Sequence, residues 1–437
     1  MLGDRLRQAL ARAHPVVFTA VAGTAGFGAY FAMYAFRKPF TAATFDDVPG
    51  WQFAFDYKIA LILAQVMGYA LSKFIGVRVI SEMAPRRRAP AILALIGLAW
   101  LALIGFALIP APWNIAALFL NGLPLGMIWG LVFGFMEGRR VSEVLASMMC
   151  ASFILSSGVV KSVGAGLIQS VNIDRFWMPA TTGALFLPLL LASVWVLAQL
   201  PPPSAADEAA RVRRAPMSAA ERRQIVRAYA PGLVAITVAY MLLNAFRDFR
   251  DNFAPEIWTS LGYGGRAEIF AISEVPVALV ALAGLAMVIM VRNNRRALAV
   301  IHAMMAVGFA LVGASTLAFE AQLIGPLAWM VLAGSGLYLA FNPVNAVLFD
   351  RLIAATGRVS NVGFLMYIAD SFAYIASVAL LLWRNFGQAA LDFRQFFIGA
   401  AYATSLVGVV LTIAAGLYFH RRTAERAEAG VVAAMAA

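Results

Sequence analysis

Twelve separate apolar stretches occupy most of this 437-residue chain. Each is about 18 to 25 residues long, the length an α-helix needs to cross roughly 30 Å of hydrocarbon. Because 62% of the residues are hydrophobic and only 13% are charged, a soluble domain is excluded and a polytopic membrane protein is predicted. The predicted spans lie near residues 15–40, 57–80, 89–110, 113–136, 143–169, 177–200, 229–247, 266–291, 297–317, 325–349, 360–383 and 394–420.

The distribution of basic residues predicts the orientation of the spans. Of the 34 Lys and Arg residues, 23 fall in the termini and the even-numbered loops, and nine fall on the opposite side. By the positive-inside rule both termini are cytoplasmic, in a multi-pass protein of the cell membrane, most simply a bacterial inner membrane. The net charge of +12 therefore reflects topology and predicts no nucleic-acid partner. The basic N-terminal segment precedes a span too long for a signal peptide, so we expect it to stay uncleaved.

A short string near the end of the first span recurs near the end of the seventh. Residues 29–40 read AYFAMYAFRKPF and residues 239–250 read AYMLLNAFRDFR, so Ala, Tyr, Ala, Phe and Arg match at an offset of 210 residues. That offset is close to half of the chain. Such a repeat predicts two six-helix halves in parallel orientation, related by an axis along the membrane normal.

The longest polar stretch between spans, residues 201–228, is rich in Pro, Ala and Arg. It predicts a cytoplasmic linker. We therefore expect an N-terminal six-helix bundle over residues 1–200, this linker, and a C-terminal six-helix bundle over residues 229–437. The predicted fold class is an all-α membrane protein with twelve transmembrane helices in two pseudo-symmetric six-helix bundles.

The fourth span has a glycine at every fourth position, namely Gly122, Gly126, Gly130, Gly134 and Gly138. This spacing stacks the glycines on one helix face and lets another helix approach closely. This face can hold two helices in a fixed contact, or it can let one helix slide along the other during a conformational cycle. Prolines at three further positions predict bends in the fourth, eighth and tenth spans, at Pro124, Pro276 and Pro343.

Each copy of the repeat predicts three polar residues on one stripe of its helix, at positions i, i+4 and i+7. They are Tyr30, Tyr34 and Arg37 in the first span, and Tyr240, Asn244 and Arg247 in the seventh. A buried arginine is costly in a bilayer, and its planar fork of donors suits a phosphate or carboxylate. The two arginines therefore predict a site that holds an anion between the halves. The alternative is that both extend to the outer interface, as we expect of Lys38, Asp248 and Arg250.

Two lysines and two carboxylates fall inside predicted spans. Lys73 follows Tyr69 by four residues in the second span, and Lys161 lies near the centre of the fifth. Each lysine should face a cavity or pair with an acid. Glu274 in the eighth span and Asp370 in the eleventh are the candidate acids, and either could neutralise a lysine or carry a proton.

Enzymatic functions have little support in the sequence. His14, His302 and His420 lie at span ends, and no HExxH, nucleophile elbow, P-loop or paired dinucleotide motif occurs. The single cysteine, Cys150, excludes a disulfide framework and a cysteine metal cluster. We therefore expect no enzyme, no cofactor and no metal site.

At these residues the chain resembles a transporter of the major facilitator superfamily, and specifically the organophosphate:phosphate antiporter branch. The first span of that branch has a tyrosine-rich stretch ending in Arg-Lys, similar to YFAMYAFRKPF. Its second span carries Tyr-x-x-Ser-Lys-Phe, which YALSKF matches at residues 69–74. Its seventh span has an Arg eight residues before a Pro, as Arg247 stands before Pro255. Its fifth span has a His before a glycine-rich turn, and KSVGAG resembles it with Lys161 in the His position.

The resemblance implies a substrate phosphate held by Arg37 and Arg247, with Tyr30, Tyr34, Tyr69 and Lys161 around it. The chain departs from the branch at three positions. Lys161 replaces a His, Asn244 stands where a Tyr is usual, and Asp370 falls near another expected Tyr. The extra cation would suit a more highly charged anion, whereas Asp370 would suit proton coupling.

The predicted function is a secondary active transporter of an anionic, phosphorylated small metabolite, working by alternating access in exchange for phosphate. Two alternatives stay open: a proton-coupled carrier of an organic anion, with Asp370 or Glu274 as the titrating group, and a membrane ligand sensor that transports nothing. The expected partners are a small anionic metabolite and the lipid bilayer. We expect a monomer, although no sequence feature determines the oligomeric state.

Overall fold

A computed structural model describes residues 2–81, 83–204, 207, 219–356, 362–387 and 391–435. All regular secondary structure in the described part of the chain is helical, with no strand, which confirms the predicted all-α class. The helices of the first half are α1 (Leu2–Arg12), α2 (Pro15–Tyr34), α3 (Tyr57–Ser81), α4 (Pro85–Leu108), α5 (Ile115–Leu125), α6 (Ile128–Phe133), α7 (Ser142–Val171) and α8 (Met178–Ala198). A 3₁₀ turn, Pro39–Ala42, follows α2.

The helices of the second half are α9 (Ala219–Asn252), α10 (Ala254–Ser260), α11 (Ile269–Met290), α12 (Asn294–Glu320), α13 (Pro326–Pro343), α14 (Phe349–Thr356), α15 (Val362–Leu382) and α16 (Phe393–Met435). Two π-helical turns, Val344–Leu348 and Trp383–Gly387, follow α13 and α15.

Eleven helical segments among the described residues are long and apolar enough to cross a membrane. The 21-residue helix α15 lies where the remaining predicted span falls. The architecture therefore agrees with the twelve-helix fold predicted from the sequence, and the protein is a multi-pass membrane protein.

Two of the helix ends that differ from the predicted spans concern the repeated string. Helix α2 ends at Tyr34 rather than near residue 40. Pro39 has no main-chain N–H, so it cannot donate to the carbonyl of Ala35 as a continued helix would require, and it instead opens the 3₁₀ turn. Arg37 therefore lies in the turn that follows the helix. Helix α9 continues to Asn252, five residues beyond the predicted end of the seventh span, with a break in helical geometry at Tyr229.

Two of the three prolines coincide with interruptions. Pro124 precedes the end of α5 at Leu125, and the span resumes as α6 at Ile128. Pro343 ends α13, and a π-helical turn follows it. Pro276 lies inside α11, which continues through it without interruption. The predicted bends therefore take the form of breaks at two positions.

The chain forms two compact units. The first contains the described residues of Met1–Arg211, Asp251–Val275 and Asn385–Ala389, and the second those of Val212–Arg250, Pro276–Arg384 and Ala390–Ala437. The division of the sequence into bundles by a linker at residues 201–228 stays a prediction, because residues 205–206 and 208–218 lie outside the described residues.

Within the first unit, the glycine face of the fourth span packs against α3. A Cβ added at Gly122 would lie 2.2 Å from the main-chain oxygen of Gln65, and one at Gly126 would lie 2.6 Å from that of Tyr69. Conversely, a Cβ at Gly68 would lie 2.1 Å from the oxygen of Phe119. Only glycine permits this approach of two backbones. The contact places Tyr69 and its neighbours on α3 at a defined height beside α5.

Gly122→Ala should destabilise the protein by about 1 to 3 kcal/mol, because the new methyl group overlaps main-chain atoms that cannot rotate away. The matched control is Gly97→Ala on α4, where an added Cβ meets nothing within 4 Å. That control should raise stability slightly, since alanine loses less backbone entropy in a helix. The measurement is the apparent melting temperature of the detergent-solubilised protein. Equal shifts in the two variants would contradict the packing argument.

Candidate functional site

Arg37 lies against two of the tyrosines predicted to accompany it. Its guanidinium carbon is 4.0 Å from the ring centroid of Tyr69 and 5.8 Å from that of Tyr34. An arginine over an aromatic face gains from the ring quadrupole, and the gain grows when both groups are desolvated. Tyr34 and Tyr69 are both buried. The sequence prediction that Arg37 and these tyrosines share one site agrees with this geometry, although Arg37 itself is not helical.

The same cluster includes Tyr30 and Lys73. Tyr30 packs edge-on against Tyr34, with ring centroids 5.5 Å apart. The Lys73 ammonium lies 5.7 Å from the Tyr69 centroid. We call these five residues, Tyr30, Tyr34, Arg37, Tyr69 and Lys73, the Arg37 cluster. It brings two cations to a single tyrosine ring.

Buried amides hold the main chain at Arg37. Because α2 ends at Tyr34, the carbonyls that follow have no helical partner and need donors from elsewhere. Asn121, which is fully buried, donates from Nδ2 to the oxygen of Phe36 at 3.0 Å. Gln65 donates from Nε2 to the oxygen of Arg37 at 2.9 Å and to Oδ1 of Asn121 at 2.7 Å. The turn is thus anchored to α3 and α5, which fixes the position of the guanidinium.

In the second unit, Arg247 occupies the equivalent position of the repeat. Its guanidinium carbon lies 4.3 Å from the ring centroid of Phe341, so each repeated arginine stacks on an aromatic ring. Arg247 is also paired with its neighbour in sequence: Nη2 is 2.8 Å and Nε 3.3 Å from Oδ1 of Asp248. An internal carboxylate therefore offsets the charge of Arg247.

Four further hydrogen-bond contacts involve the predicted residues of the second unit. Asn244 donates to the Ser377 hydroxyl at 2.8 Å, and that hydroxyl donates to Oδ2 of Asp248 at 2.7 Å. The Tyr240 hydroxyl lies 2.9 Å from Oδ1 of Asp370 and 3.0 Å from Oδ1 of Asn345. We call Tyr240, Asn244, Arg247, Asp248 and Asp370 the Arg247 cluster. It contains two carboxylates and one cation, the opposite balance to the Arg37 cluster.

Lys161 belongs to a third cluster. Its ammonium lies 2.5 Å from Oδ1 of Asp251 and 2.6 Å from the main-chain oxygen of the same residue. The second carboxylate oxygen of Asp251 pairs with Lys38, and Ser157 donates to the first. The carboxylate that pairs with Lys161 is therefore neither Glu274 nor Asp370, the two candidate acids, and a role for them at Lys73 or in proton transfer stays a prediction. The partner is Asp251, which the predicted span boundary had left outside the membrane.

Lys38, Asp248 and Arg250 do not extend to the interface as predicted. Lys38 is 7% and Arg250 4% exposed, and Arg250 donates from Nη2 to the oxygen of Met330 at 3.1 Å. The Asp248 side chain is 14% exposed and pairs with Arg247. The longer α9 accounts for the two residues on that helix, because it keeps them within the packed protein.

The second predicted acid, Glu274, lies on α11 against α7. A Cβ added at Gly158 would be 2.8 Å from both Cβ and Cγ of Glu274. The glycine thus makes room for the acidic side chain at a close helix contact. Among the residues that the structure describes, no three His, Cys, Asp or Glu side chains group as metal ligands.

A fourth buried ion pair was not predicted. Lys58 lies 2.5 Å from Oε1 of Glu256 and 3.1 Å from the oxygen of Thr41. Burial raises the pKa of the Glu256 carboxyl, and Lys58 opposes that rise without reversing it. Lys58 stands at the first turn of α3, so its position at a span end gave no reason to single it out. Glu256 lies on α10, a short helix that no apolar periodicity marks.

The fold defined by these helices is that of major facilitator transporters. It is similar to a crystal structure of a D-xylose-proton symporter, with a TM-score of 0.58 and 14% identity, over 92% of this chain and 97% of that chain. It is also similar to a peptide transporter of the POT type in complex with alafosfalin, with a TM-score of 0.62 and 14% identity over 96% and 99%. A POT family transporter in complex with 5-aminolevulinic acid has a TM-score of 0.59 and 13% identity over 90% and 95%.

Within that fold, the chain belongs to a family of unknown function, DUF5690, which it matches over residues 39–422. No curated protein matches the chain in sequence. The family match spans the Tyr69 and Lys73 part of the Arg37 cluster and the whole Arg247 cluster, and begins two residues after Arg37.

Removing one partner of the Lys58–Glu256 pair should lower the stability of the folded protein more than removing both partners does. Lys58→Met or Glu256→Gln alone leaves one buried charge without its counter-charge. In buried ion pairs such a change lowers the free energy of unfolding by about 3 to 5 kcal/mol. The double variant should recover part of that loss. Apparent melting temperatures of the four proteins form the test, with Arg266→Gln, a change in an exposed pair with Glu268, as the control. Strictly additive losses would show that the two side chains do not interact.

Proposed function

We propose that this protein is a secondary active transporter that carries an anionic, phosphorylated small metabolite by alternating access. The observation that supports this most directly is the pair of cations at one ring, with Arg37 at 4.0 Å and Lys73 at 5.7 Å from the Tyr69 centroid. An arginine and a lysine at one site can both donate charge-assisted hydrogen bonds to a bound phosphate. Tyrosine hydroxyls beside them supply neutral hydrogen bonds to the same ligand.

In this proposal Arg247 also serves the anion, but more weakly than Arg37. Its stacking on Phe341 holds the guanidinium plane, while its bond to Asp248 already uses part of its donor fork. Lys161, held by Asp251, adds less positive potential to the site than its charge alone suggests. The asymmetry follows from the two strings themselves, since Arg37 is followed by Lys38 and Arg247 by Asp248.

The resemblance to the organophosphate:phosphate antiporter branch supports exchange of the metabolite for phosphate. The transporter fold shared with the solved structures supports transport over signalling or catalysis. The cytoplasmic placement of both termini, a bacterial inner membrane and a monomeric state remain part of the proposal, the first resting on the positive-inside rule.

Neutralising the Arg37 cluster should weaken anion binding. Arg37→Gln and Lys73→Gln should each reduce phosphate affinity at least about ten-fold, since hydrogen bonds to charged groups contribute about 1.5 to 3 kcal/mol. Arg247→Gln should cost less than Arg37→Gln. The measurements are thermal stabilisation of the detergent-solubilised protein by inorganic phosphate and by glycerol 3-phosphate, and phosphate-driven counterflow in liposomes.

Arg394→Gln is the matched control for charge, because Arg394 is exposed and lies 4.0 Å from Asp392. It should bind and exchange phosphate like the wild type. Unchanged phosphate affinity in both Arg37→Gln and Lys73→Gln would contradict the proposed site. Binding that persists without any flux would favour the sensor alternative.

Proton-coupled transport of an organic anion is a second candidate, and the Tyr240–Asp370 contact favours it. A carboxylate inside a membrane bundle is costly and commonly takes part in proton relays. Asp370 accepts from Tyr240, a residue of the same repeat that carries Arg247, so protonation at Asp370 would alter the surroundings of that arginine.

Asp370→Asn distinguishes the two candidates. If transport is coupled to protons, this variant should lose uptake driven by a pH gradient while retaining counterflow, because the amide cannot release a proton. If the protein exchanges phosphate without protons, a pH gradient should not drive uptake even in the wild type. Asp392→Asn, at an exposed residue, is the control.

A further inference from the structure

A cavity of about 360 Å³ lies in the first unit, apart from the Arg37 cluster. Small-molecule sites in proteins commonly enclose about 300 to 1,000 Å³. The cavity is formed by the segment after the 3₁₀ turn, the last turns of α7, and α10 with the loop that follows it. The residues that carry the argument are Thr44, Gln169, Arg175, Trp258, Tyr263 and Phe270.

The cavity has a positive charge that the protein orients but does not neutralise. Arg175 donates from Nη1 to the main-chain oxygen of Asp46 at 2.9 Å and from Nη2 to that of Asp47 at 3.3 Å. Main-chain carbonyls hold the guanidinium in place without cancelling its charge. The other lining cation, Arg266, pairs with Glu268 at 3.0 Å. No acidic residue is among the described residues that line the cavity.

One wall of the cavity is aromatic. Trp258 and Phe270 are 2% and 7% exposed, and the Tyr263 ring meets Trp258 edge-on with centroids 5.3 Å apart. The Tyr263 amide donates to the oxygen of Trp258 at 2.8 Å, which closes the chain back over the end of α10. Gly265 lines the cavity with φ of +79°, a backbone conformation that favours glycine. The loop thus adds an apolar wall to the cavity that Arg175 also lines.

We infer that this cavity is a second binding site, for a small organic anion with an apolar body, such as an aromatic carboxylate. Arg175 receives the carboxylate, Thr44 and Gln169 supply neutral hydrogen bonds, and the aromatic wall accepts the body of the ligand. The site shares no residue with the Arg37 cluster, so it stands whether or not that cluster binds an anion. Ala165, which lines the cavity, lies one turn beyond Lys161 on α7, so the ligand would bind next to the Lys161–Asp251 pair.

The test compares benzoate with benzamide, its neutral isostere, on the purified full-length protein by calorimetric titration. Three variants accompany the wild type: Arg175→Gln removes the charge, Thr259→Trp fills the cavity from an exposed lining position, and Arg394→Gln controls for loss of a surface cation. Each variant is first checked for its elution profile and melting temperature. If Arg175→Gln does not fold, the benzoate and benzamide comparison and Thr259→Trp still decide the outcome.

The wild type should bind benzoate at least about ten-fold more tightly than benzamide, the ratio expected for one charge-assisted hydrogen bond. Arg175→Gln should erase that preference, Thr259→Trp should weaken both ligands, and Arg394→Gln should behave as the wild type. Equal affinity for the two ligands, no saturable binding of benzoate, or a preference that survives Arg175→Gln would each overturn the inference. Arg37→Gln should leave benzoate binding unchanged, which separates this site from the proposed transport site.

Discussion

Charge compensation inside an apolar interior is the constraint on which the rest of this structure depends. The bilayer supplies no counter-ion or water to a buried cation, so the protein must do so. It does this in two ways. Lys161, Lys58 and Arg247 are paired with carboxylates, at Asp251, Glu256 and Asp248. Arg37 and Lys73 share the face of Tyr69. This sharing of one aromatic ring by two cations distinguishes the Arg37 cluster from the others.

That cluster depends on close helix contacts several residues away. Glycines at 122 and 126 let α5 touch the backbone of α3, which places Gln65 and Tyr69 on one side of the turn after α2. On α5, Asn121 donates a hydrogen bond to the Phe36 carbonyl, which has no helical donor because α2 ends before it. Three features together determine where the Arg37 guanidinium lies: the end of α2 before Pro39, the glycine face and the buried amide. The chemistry of the site is therefore a consequence of packing.

The repeat string predicted which residues lie together locally, but it did not predict their partners from distant parts of the chain. Positions i, i+4 and i+7 correctly grouped Tyr34 with Arg37, because the turn after Tyr34 keeps Arg37 near the same stripe. Phe341, which lies under Arg247, and Ser377, which contacts Asp248, are about 95 to 130 residues further along the chain. No local spacing indicates such contacts. Asp251 was within reach of sequence reasoning, since it follows Arg247 by one helical turn, but a span boundary drawn at residue 247 placed it in solvent.

The sequence by itself determined that this protein is an all-α membrane protein of twelve apolar helices with an internal repeat. Hydropathy and helix length are local properties, so each span can be recognised from its own residues. It also identified Arg37, Lys73 and Asp370 as charged residues whose burial in a bilayer carries a free-energy cost. Only the tertiary structure decided which side chains surround the buried cations: Arg37 lies over the Tyr69 ring, Arg247 pairs with Asp248, and Lys161 pairs with Asp251. Those contacts depend on distances between helices distant in sequence, where a shift of a few ångströms decides whether an ion pair forms.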